Sequence, residues 1–392
     1  MNSKLLKIGA IGTLVGVTAF AGMHYFGCGS KPIKPFTPVE EEIKKPKTPQ
    51  KVGIIGSGNW GSAIAKIVGS NALKNPDFFV EEVKQYVYEE EFEGRKLTEI
   101  INEDHMNKKY LPGIELPENI VADPDLVSTV KDADLLIFVL PHQFVPRILG
   151  TIKGKLKKGV RAITLIKGVN FIDNKLVLIS ELIEKELECE VCSLMGANVA
   201  NEVAQEQYCE TSIGYKKVET GVLFWKLFNT KNFEVRIVND VKGPEICGAL
   251  KNVVAIGAGF CDGVEEYGGN TKAAIMRVGL MEMKQFAQTY YPSVQTETFF
   301  ESCGVGDLIT TCFGGRNRKC AEAYVRTKKS WEEIEKELLK GQKLQGTGTA
   351  IEVYEILKND NIIDKFPLFK TIYKIVQGKL DPEDIVRYDQ LD

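Results

Sequence analysis

Short apolar runs alternate with helical patterns between residues 50 and 240, and this alternation restricts the possible folds more than any other feature of the chain. Helical patterns such as Ile64–Val68 and Leu176–Leu187 lie between most of the strand-like runs. Strands that alternate with helices form a parallel sheet that is covered on both faces. The predicted strands are Val52–Ile55, Val83–Tyr88, Asn119–Val121, Leu135–Leu140, Ala162–Ile166, Val191–Met195 and Val235–Val238.

The remaining patterns, after Asp240, are mostly helical. Pro244 suits the first turn of a helix. The predicted helices are Pro244–Gly259, Thr271–Tyr290, Asn317–Lys328, Trp331–Lys340 and Thr349–Lys358. We therefore predict an α/β Rossmann-type doubly wound domain at residues 50–240, followed by an all-helical domain at residues 241–392 for substrate binding and catalysis.

Residues 1–49 differ from the rest of the chain. Residues 8–27 contain no Asp, Glu, Lys or Arg, and a Pro/Lys/Glu-rich stretch that is typical of a linker follows. As a helix, this run would span about 30 Å, which matches a bilayer core. A membrane anchor, a cleaved signal peptide and an organelle-targeting peptide all remain open. We expect the extension to be dispensable for catalysis and the enzyme body to be cytosolic.

Charge and cysteine content exclude several classes of protein. The chain has 50 basic and 53 acidic side chains and a net charge of −3, so it lacks the basic excess of a nucleic-acid binder. Its nine scattered cysteines fit reduced thiols better than a disulfide framework. Cys189 and Cys192 form an isolated C-x-x-C, for which buried strand cysteines are a simpler interpretation than a metal or redox site. No metal site is predicted.

A glycine-rich loop directly follows the first predicted strand and opens a helix. Its sequence is Gly56-Ser57-Gly58-Asn59-Trp60-Gly61, a G-x-G-x-x-G motif in the context of dinucleotide binding. The amides at the helix N-terminus would face the pyrophosphate. The alternative is a glycine-rich turn without a ligand. Glu89, Glu90 and Glu91 follow the second strand and would repel a 2′-phosphate, so NAD is favoured over NADP.

A candidate proton donor for hydride chemistry lies in the helical half. A ketone that receives a hydride needs a group to protonate the developing alkoxide. The chain has no histidine after His142. Lys251 lies in an otherwise apolar or small-residue helix, where burial would lower its pKa. The alternative is a lysine whose ammonium reaches solvent.

A second cluster of polar residues follows between residues 304 and 318. Asp307 is placed to hold an ammonium group, and Gly314-Gly315-Arg316-Asn317 opens a helix, an arrangement that suits a phosphate or a carboxylate. Asn317 is predicted as the N-cap. The alternative is a glycine-rich turn with solvated arginines.

Seven short motifs resemble NAD-dependent glycerol-3-phosphate dehydrogenase of the eukaryotic type, in the order that is typical of that family. The resemblance extends from about Lys51 to Pro367. The motifs are Ser57-Gly58-Asn59-Trp60-Gly61, Leu165-Ile166-Lys167-Gly168, Met195-Gly196-Ala197-Asn198, Gly248-Ala249-Leu250-Lys251-Asn252, Glu301-Ser302-Cys303-Gly304, Gly314-Gly315-Arg316-Asn317 and Gly341-Gln342-Lys343-Leu344-Gln345-Gly346.

The resemblance implies reversible hydride transfer between NADH and dihydroxyacetone phosphate that gives sn-glycerol 3-phosphate, in a homodimer. It implies that Lys251 is the acid/base, with Lys167, Asn252, Asp307 and Thr311 around the reacting carbinol. Lys167, Arg316 and Asn317 would bind the substrate. The residues expected to contact NAD are Gly56, Ser57, Gly58, Asn59, Trp60, Gly61, Tyr88, Phe144, Ala200, Arg316, Lys343 and Gln345.

Two alternatives remain. One is a related lysine-dependent β-hydroxyacid-type dehydrogenase that binds a carboxylate at Arg316. The other is an NADH-binding, membrane-tethered partner protein without turnover.

Overall fold

The computed structural model describes residues 36–38, 43–172, 175–340 and 343–390. The predicted apolar segment at residues 8–27 lies outside the described residues, as does most of the 1–49 extension. The strands are β1 Gln50–Ile55, β2 Phe79–Tyr86, β3 Glu91–Phe92, β4 Arg95–Lys96, β5 Ile120–Asp123, β6 Leu135–Phe138, β7 Arg161–Thr164, β8 Val169–Ile172, β9 Lys175–Leu178, β10 Glu190–Met195, β11 Cys209–Gly214 and β12 Phe233–Val238.

The helices lie between these strands and then follow them without interruption. They are α1 Asn59–Lys74, α2 Leu97–Asp104, α3 Leu126–Val130, α4 Val145–Ile152, α5 Ile179–Leu187, α6 Ala200–Ala204, α7 Val218–Phe228, α8 Lys242–Gly263, α9 Gly269–Tyr290, α10 Asp307–Gly314, α11 Arg316–Thr327, α12 Trp331–Leu339, α13 Gln345–Asn359 and α14 Pro367–Val376. A π-helical turn, Ser302–Gly306, leads directly into α10.

Eight strands form one twisted sheet in the order β12-β11-β10-β7-β6-β1-β2-β5. All neighbours are parallel except β10 and β11. The chain moves outward from β1 through β2 to β5, and then returns to β6 on the other side of β1. This reversal of strand order opens a crevice beyond the carboxyl ends of β1 and β6. The predicted α/β fold class, with a helical region after the sheet, is confirmed.

Helix α8 is the centre of the helical region. It contacts α9, α10, α11, α13 and α14, and it also reaches the sheet at β10 and β11. It is long and apolar enough to cross a membrane, but 94% of its apolar window is buried inside the protein. A Cβ at Gly259 would lie 2.3 Å from the carbonyl oxygen of Arg318, so α8 and α11 approach each other closely. This contact places the start of α11 beside the C-terminal part of α8.

Two local features differ from the sequence-based predictions, and a third agrees with them. Strand β11 was not predicted, because its buried positions include Thr211 and Ser212 and no apolar run marks it. The predicted helix Leu176–Leu187 begins as strand β9 and becomes helical only at Ile179. Cys189 and Cys192 are free and buried, and burial raises the pKa of the Cys189 thiol to about 12, which supports the structural interpretation.

Part of the predicted linker packs against the sheet. Phe36 forms an antiparallel bridge to Ile237 on the edge strand β12, with backbone hydrogen bonds of 3.2 and 3.0 Å. Phe36 and Ile43 also pack against the apolar cluster that contains Phe233. The folded region therefore begins before residue 50, since these side chains gain burial from the sheet.

Candidate active site

The glycine loop lies where a dinucleotide pyrophosphate would be held. Gly56 has φ of 124°, and a Cβ there would lie 2.3 Å from the carbonyl oxygen of Val139. A Cβ at Gly61 would lie 2.5 Å from the carbonyl oxygen of Gly56. At Gly58 a Cβ would meet nothing within 4 Å, so the space over the loop is open. Gly58 is also the N-cap of α1 and has no side chain to cap it. These features fit a phosphate at the helix N-terminus.

The side chains of the loop differ in what they do. Trp60 packs its ring against Phe233 at a centroid distance of 6.4 Å, so its indole belongs to the core. Asn59 donates to the backbone carbonyl of Tyr110 and to the side-chain oxygen of Asn201. Within the described residues, no donor forms a hydrogen bond to the buried Oδ1 of Asn59. Ser57 is buried.

Two buried amides that the sequence analysis missed hold this loop in place. Asn107 donates to the carbonyl oxygen of Ser57 at 2.8 Å and to the hydroxyl of Ser62 at 2.9 Å. Gln85 donates to the carbonyl oxygens of Gly56 and Gly61 at 2.9 and 3.3 Å. Gln85 is a polar residue at an inward-facing position of β2, two residues after the buried Val83, and that was the one available signal in the sequence.

Two of the other predicted cofactor residues follow strands at the crevice, and the rest lie at or just before the start of helices. Tyr88 and Phe144 follow β2 and β6, and their rings are exposed by 64% and 48%, which leaves aromatic faces available to a ligand. Ala200 begins α6 and Gln345 begins α13. Lys343 forms an ion pair with Glu335 at 2.8 Å.

The carboxylates after β2 are less available than the sequence suggested. Glu89 accepts from the Thr98 hydroxyl at 2.6 Å and from the Thr98 amide at 3.3 Å. Glu90 forms an ion pair with Lys109.

At the centre of the candidate site, two lysines share one carboxylate. Lys251 on α8 is 5% exposed and forms an ion pair with Oδ2 of Asp307, the first residue of α10. Lys167, which follows β7, reaches the same oxygen at 3.1 Å and also donates to the carbonyl oxygen of Gly196 at 3.2 Å. The alternative in which Lys251 extends into solvent is wrong, because the apolar helix α8 is buried on all sides.

The charges around Lys251 favour its neutral form more than a simple ion pair would. Burial and, after it, the nearby Lys167 ammonium lower the pKa of Lys251, whereas Asp307 acts in the opposite direction; together these effects bring the pKa to about 8. The pKa of Asp307 is lowered because the two ammonium groups outweigh the effect of its burial. Lys251 can therefore both donate and accept a proton near neutral pH.

The remaining predicted substrate residues lie around this pair. Thr311, one turn after Asp307, directs its hydroxyl to Asp307 Oδ1 at 3.4 Å. Asn317 donates from Nδ2 to Oδ1 of Asn252 at 2.9 Å. The N-cap prediction for Asn317 is wrong, because Gly315 takes that position and α11 begins at Arg316. Arg316 thus lies in the first turn, where the helix amides also favour an anion.

Taken together, the geometry suits hydride chemistry on a small anionic ketone. An open glycine loop lies at the carboxyl end of β1, a buried lysine with a lowered pKa lies on α8, and a basic helix start lies on α11. Within the described residues, no group of three or more His, Cys, Asp or Glu side chains could hold a metal ion.

Comparison with known proteins identifies the family. A family model described as the N-terminus of NAD-dependent glycerol-3-phosphate dehydrogenase matches residues 51–221. The corresponding C-terminal model matches residues 240–387. The chain belongs to the NAD-dependent glycerol-3-phosphate dehydrogenase family. NAD is therefore its cofactor class, and the residues around the glycine loop fit that cofactor.

Individual relatives of this family agree. The chain is 57% identical over 327 residues to "glycerol-3-phosphate dehydrogenase (NAD(+)), cytoplasmic" of Homo sapiens, which covers 83% of this chain and 93% of the relative. It is 55% identical over 339 residues to "glycerol-3-phosphate dehydrogenase 1-like protein" of Xenopus tropicalis, with 86% and 96% covered.

Solved structures of the same family have the same fold. Glycerol-3-phosphate dehydrogenase of Saccharomyces cerevisiae superposes with a TM-score of 0.84 at 45% identity, with 88% of this chain and all of that chain covered. The Plasmodium falciparum enzyme gives a TM-score of 0.84 at 41% identity, with 88% and 96% covered. The recognition made from the seven motifs is confirmed, and the comparisons give no support to a β-hydroxyacid dehydrogenase or to a non-catalytic partner.

Proposed function

We propose that this chain catalyses the reversible reduction of dihydroxyacetone phosphate by NADH to sn-glycerol 3-phosphate. The observation that carries the proposal is the buried Lys251–Asp307 pair, which lies between an open glycine loop and the Arg316 helix start. Bound NADH supplies the hydride; the protein supplies position, charge and a proton.

The proton step is assigned to Lys251. As an ammonium, it donates a proton to the carbonyl oxygen that becomes an alkoxide when the hydride arrives at the carbon. In the oxidation direction, the neutral amine removes the hydroxyl proton. Asp307 holds the Lys251 nitrogen in place, and Lys167 adds positive charge where the alkoxide develops.

The phosphate is assigned to the start of α11. Arg316 offers a planar set of donors, and the first-turn amides add the positive end of the helix dipole. Asn317 and Asn252 add side-chain amide groups at the same place. An unphosphorylated ketone would lose these interactions.

The first test is NADH oxidation by the purified chain with three substrates: dihydroxyacetone phosphate, unphosphorylated dihydroxyacetone and a β-keto acid. We expect turnover with the phosphorylated ketone to be much faster than with the other two. Equal rates with both ketones would refute the phosphate assignment, and a preference for the keto acid would favour the β-hydroxyacid alternative. NADH is expected to be preferred over NADPH.

A matched pair of lysines on α8 tests the proton donor. Lys251→Ala should lower kcat by roughly 10²- to 10⁴-fold, the usual effect of removing a general acid, while NADH binding survives. Lys242→Ala is the control, because Lys242 lies at the start of the same helix and pairs with Glu181 outside the site. A Lys251→Ala enzyme with nearly normal kcat would exclude Lys251 as the acid.

We also propose a homodimer, a functional division of the chain near residue 240, and a cytosolic enzyme body. The resemblance to the family supports the dimer. The end of the last strand at Val238 and the start of α8 at Lys242 support the division. The cytoplasmic designation of the human relative supports the location. Light scattering of the purified chain tests the proposed homodimer.

We further propose that residues 8–27 act as a membrane tether, on the basis of their sequence alone. Membrane fractionation of the full chain tests the tether, and recovery of the intact chain only in the soluble fraction would contradict it.

A further inference from the structure

A short chain of hydrogen bonds joins the start of α13 to two buried asparagines of the candidate site. The backbone amide of Gly346 donates to Oδ1 of Asn317 at 2.9 Å. Nδ2 of Asn317 in turn donates to Oδ1 of Asn252 at 2.9 Å. Asn252 and Asn317 are only 9% and 8% exposed, and Gly346 is buried. The three residues come from three different helices, α8, α11 and α13.

The direction of this chain of bonds is fixed at one end. A backbone amide can only donate, so the atom of Asn317 that faces Gly346 must be the oxygen. The atom of Asn317 that faces Asn252 is then the nitrogen, and the atom of Asn252 that receives it must be the oxygen. Within the described residues, no group accepts from Nδ2 of Asn252. That nitrogen is the remaining donor, and it belongs to the residue that follows Lys251 in α8.

We propose that Gly346 is a positioning residue for the reaction: its amide orients both carboxamides, so that Asn252 presents an N–H donor to the oxygen atoms of the substrate. This inference rests on the proposed function. Without the Gly346 bond, either asparagine could rotate its amide by half a turn and present an oxygen to an anionic substrate. Nitrogen donors match the developing alkoxide and the phosphate, whereas oxygen atoms would repel them.

The packing around Gly346 leaves room only for glycine. A Cβ at this position would lie 2.7 Å from Oδ1 of Asn317, 2.7 Å from the carbonyl oxygen of Asn252 and 2.9 Å from Ile256. Two of these three atoms belong to the hydrogen-bonded asparagines, and the third belongs to Ile256, a buried residue of α8. An alanine would therefore push Asn317 out of its position and lengthen the bond that fixes it.

A buried glutamate holds the segment that delivers this amide. Glu335 on α12 is 7% exposed and accepts from the Leu344 amide at 2.9 Å. Its other oxygen accepts from Lys343 at 2.8 Å. Hydrogen bonds to its charged form lower the pKa of Glu335, although burial alone would raise it. Glu335 thus fixes the two residues that immediately precede the first turn of α13.

Helix α13 provides its own control. Gly348 lies two residues further along the same helix, and a Cβ there would meet nothing within 4 Å. Gly346→Ala and Gly348→Ala make the same chemical change in the same helix, with the same gain in helix propensity. Only the first adds an atom next to Asn317. The pair therefore separates an effect on the asparagines from a general effect on α13.

The experiment measures kcat/KM for dihydroxyacetone phosphate, the dissociation constant of NADH and the thermal unfolding midpoint for each variant. Gly346→Ala should lower kcat/KM about 10- to 100-fold, which is the size expected when a reacting group is misplaced by about 1 Å. Its NADH affinity should stay within about twofold of the wild type. Gly348→Ala should match the wild type in all three measurements. A Gly346→Ala enzyme with unchanged kcat/KM would overturn the inference.

A double-mutant cycle with Asn252→Ala separates positioning from a structural role. If Gly346 acts through Asn252, the loss caused by Gly346→Ala should shrink to less than about threefold in the Asn252→Ala background. If the two losses multiply, Gly346 does not act through Asn252 and the inference fails.

Glu335→Ala is a second variant that releases the segment without adding an atom, in case Gly346→Ala does not fold. It should lower kcat/KM about fivefold, and this loss should also vanish in the Asn252→Ala background; multiplicative losses would overturn the inference. A wild-type enzyme without activity on dihydroxyacetone phosphate would refute the proposed function itself. An active wild type with an unaffected Gly346→Ala variant would refute only the positioning role.

Discussion

Replacement of Lys167 by methionine should shift the pH dependence of the enzyme toward higher pH. Lys167 and Lys251 contact the same oxygen of Asp307, and the Lys167 ammonium is the main charge that lowers the pKa of Lys251. Methionine fills a similar volume without the charge. Asp307 would then stabilise the Lys251 ammonium alone, and the pKa of Lys251 should rise from about 8.

The size of this rise follows from the geometry. Two ammonium groups on one carboxylate oxygen lie about 5 Å apart, and at an effective dielectric constant of about 20 their repulsion is about 3 kcal/mol. That energy corresponds to about two pKa units. The Lys167 side chain is 30% exposed, so solvent screens part of the interaction. We therefore expect the pKa of Lys251 to rise by about one unit, or about 1.4 kcal/mol.

The assay is kcat/KM for dihydroxyacetone phosphate between about pH 6 and 10, which reports the pKa of the free enzyme. Reduction needs Lys251 protonated, so activity should fall as pH rises through its pKa, near 8 in the wild type and near 9 in Lys167→Met. Oxidation of glycerol 3-phosphate needs neutral Lys251, so its rise with pH should move in the same direction.

Lys153→Met is the control for this assay, because Lys153 pairs with Glu186 on the surface and its loss should leave the profile unchanged. The absolute rate of Lys167→Met decides nothing, since Lys167 is also a proposed substrate contact. A profile that stays in place or moves to lower pH would refute the reasoning.

Three further predictions concern other parts of the molecule. Arg316→Ala should weaken binding of the phosphorylated ketone by about 1.5–3 kcal/mol and hardly affect the unphosphorylated ketone, as measured by steady-state kinetics; equal losses would contradict the phosphate role. Glu282→Ala removes the acceptor of two buried amides at the start of α14, so urea unfolding should show a loss of about 2–4 kcal/mol, and a change below about 0.5 kcal/mol would be inconsistent with that role. Chains that begin at residue 36 and at residue 50 should both be active, but the shorter chain should unfold at lower urea because it lacks the pairing of Phe36 with Ile237; identical midpoints would show that this pairing contributes nothing.

Local sequence patterns predicted the features that depend on neighbours along the chain. The glycine loop could be recognised because a strand precedes it and a helix follows it, so the backbone conformation is determined locally. The burial of the helix around Lys251 could be predicted because all its sides are apolar or small, although the pattern left open whether the Lys251 ammonium reaches solvent. By contrast, β11 could not be predicted from its pattern, because the polar residue Thr211 occupies one of its buried positions. Its buried hydroxyl donates to the carbonyl oxygen of Met195, a bond that depends on tertiary structure.

Contacts between distant segments could not be derived from spacing. Lys167 and Asp307 are 140 residues apart, and only the fold brings them together. Family resemblance suggested both residues, but it did not indicate that Lys167 and Lys251 contact the same oxygen atom of Asp307, Oδ2. The N-cap prediction for Asn317 failed for the same reason. The side chain that local rules assigned to its own helix instead bonds to Asn252, 65 residues earlier in the chain.

The shared carboxylate gives the site a net charge that suits its proposed substrate. Lys167 and Lys251 can carry two positive charges, and Asp307 carries one negative charge. Arg316 adds a further positive charge. A phosphate monoester carries about −2 charge at neutral pH, so the bound substrate would neutralise this excess and also favour the ammonium form of Lys251. The free site holds Lys251 near its titration point, and substrate binding would move it toward the protonated form that reduction requires. A single lysine with its own carboxylate would remain charged at all physiological pH values and would be a poor base in the reverse direction. The second lysine therefore accounts for a site that can work in both directions.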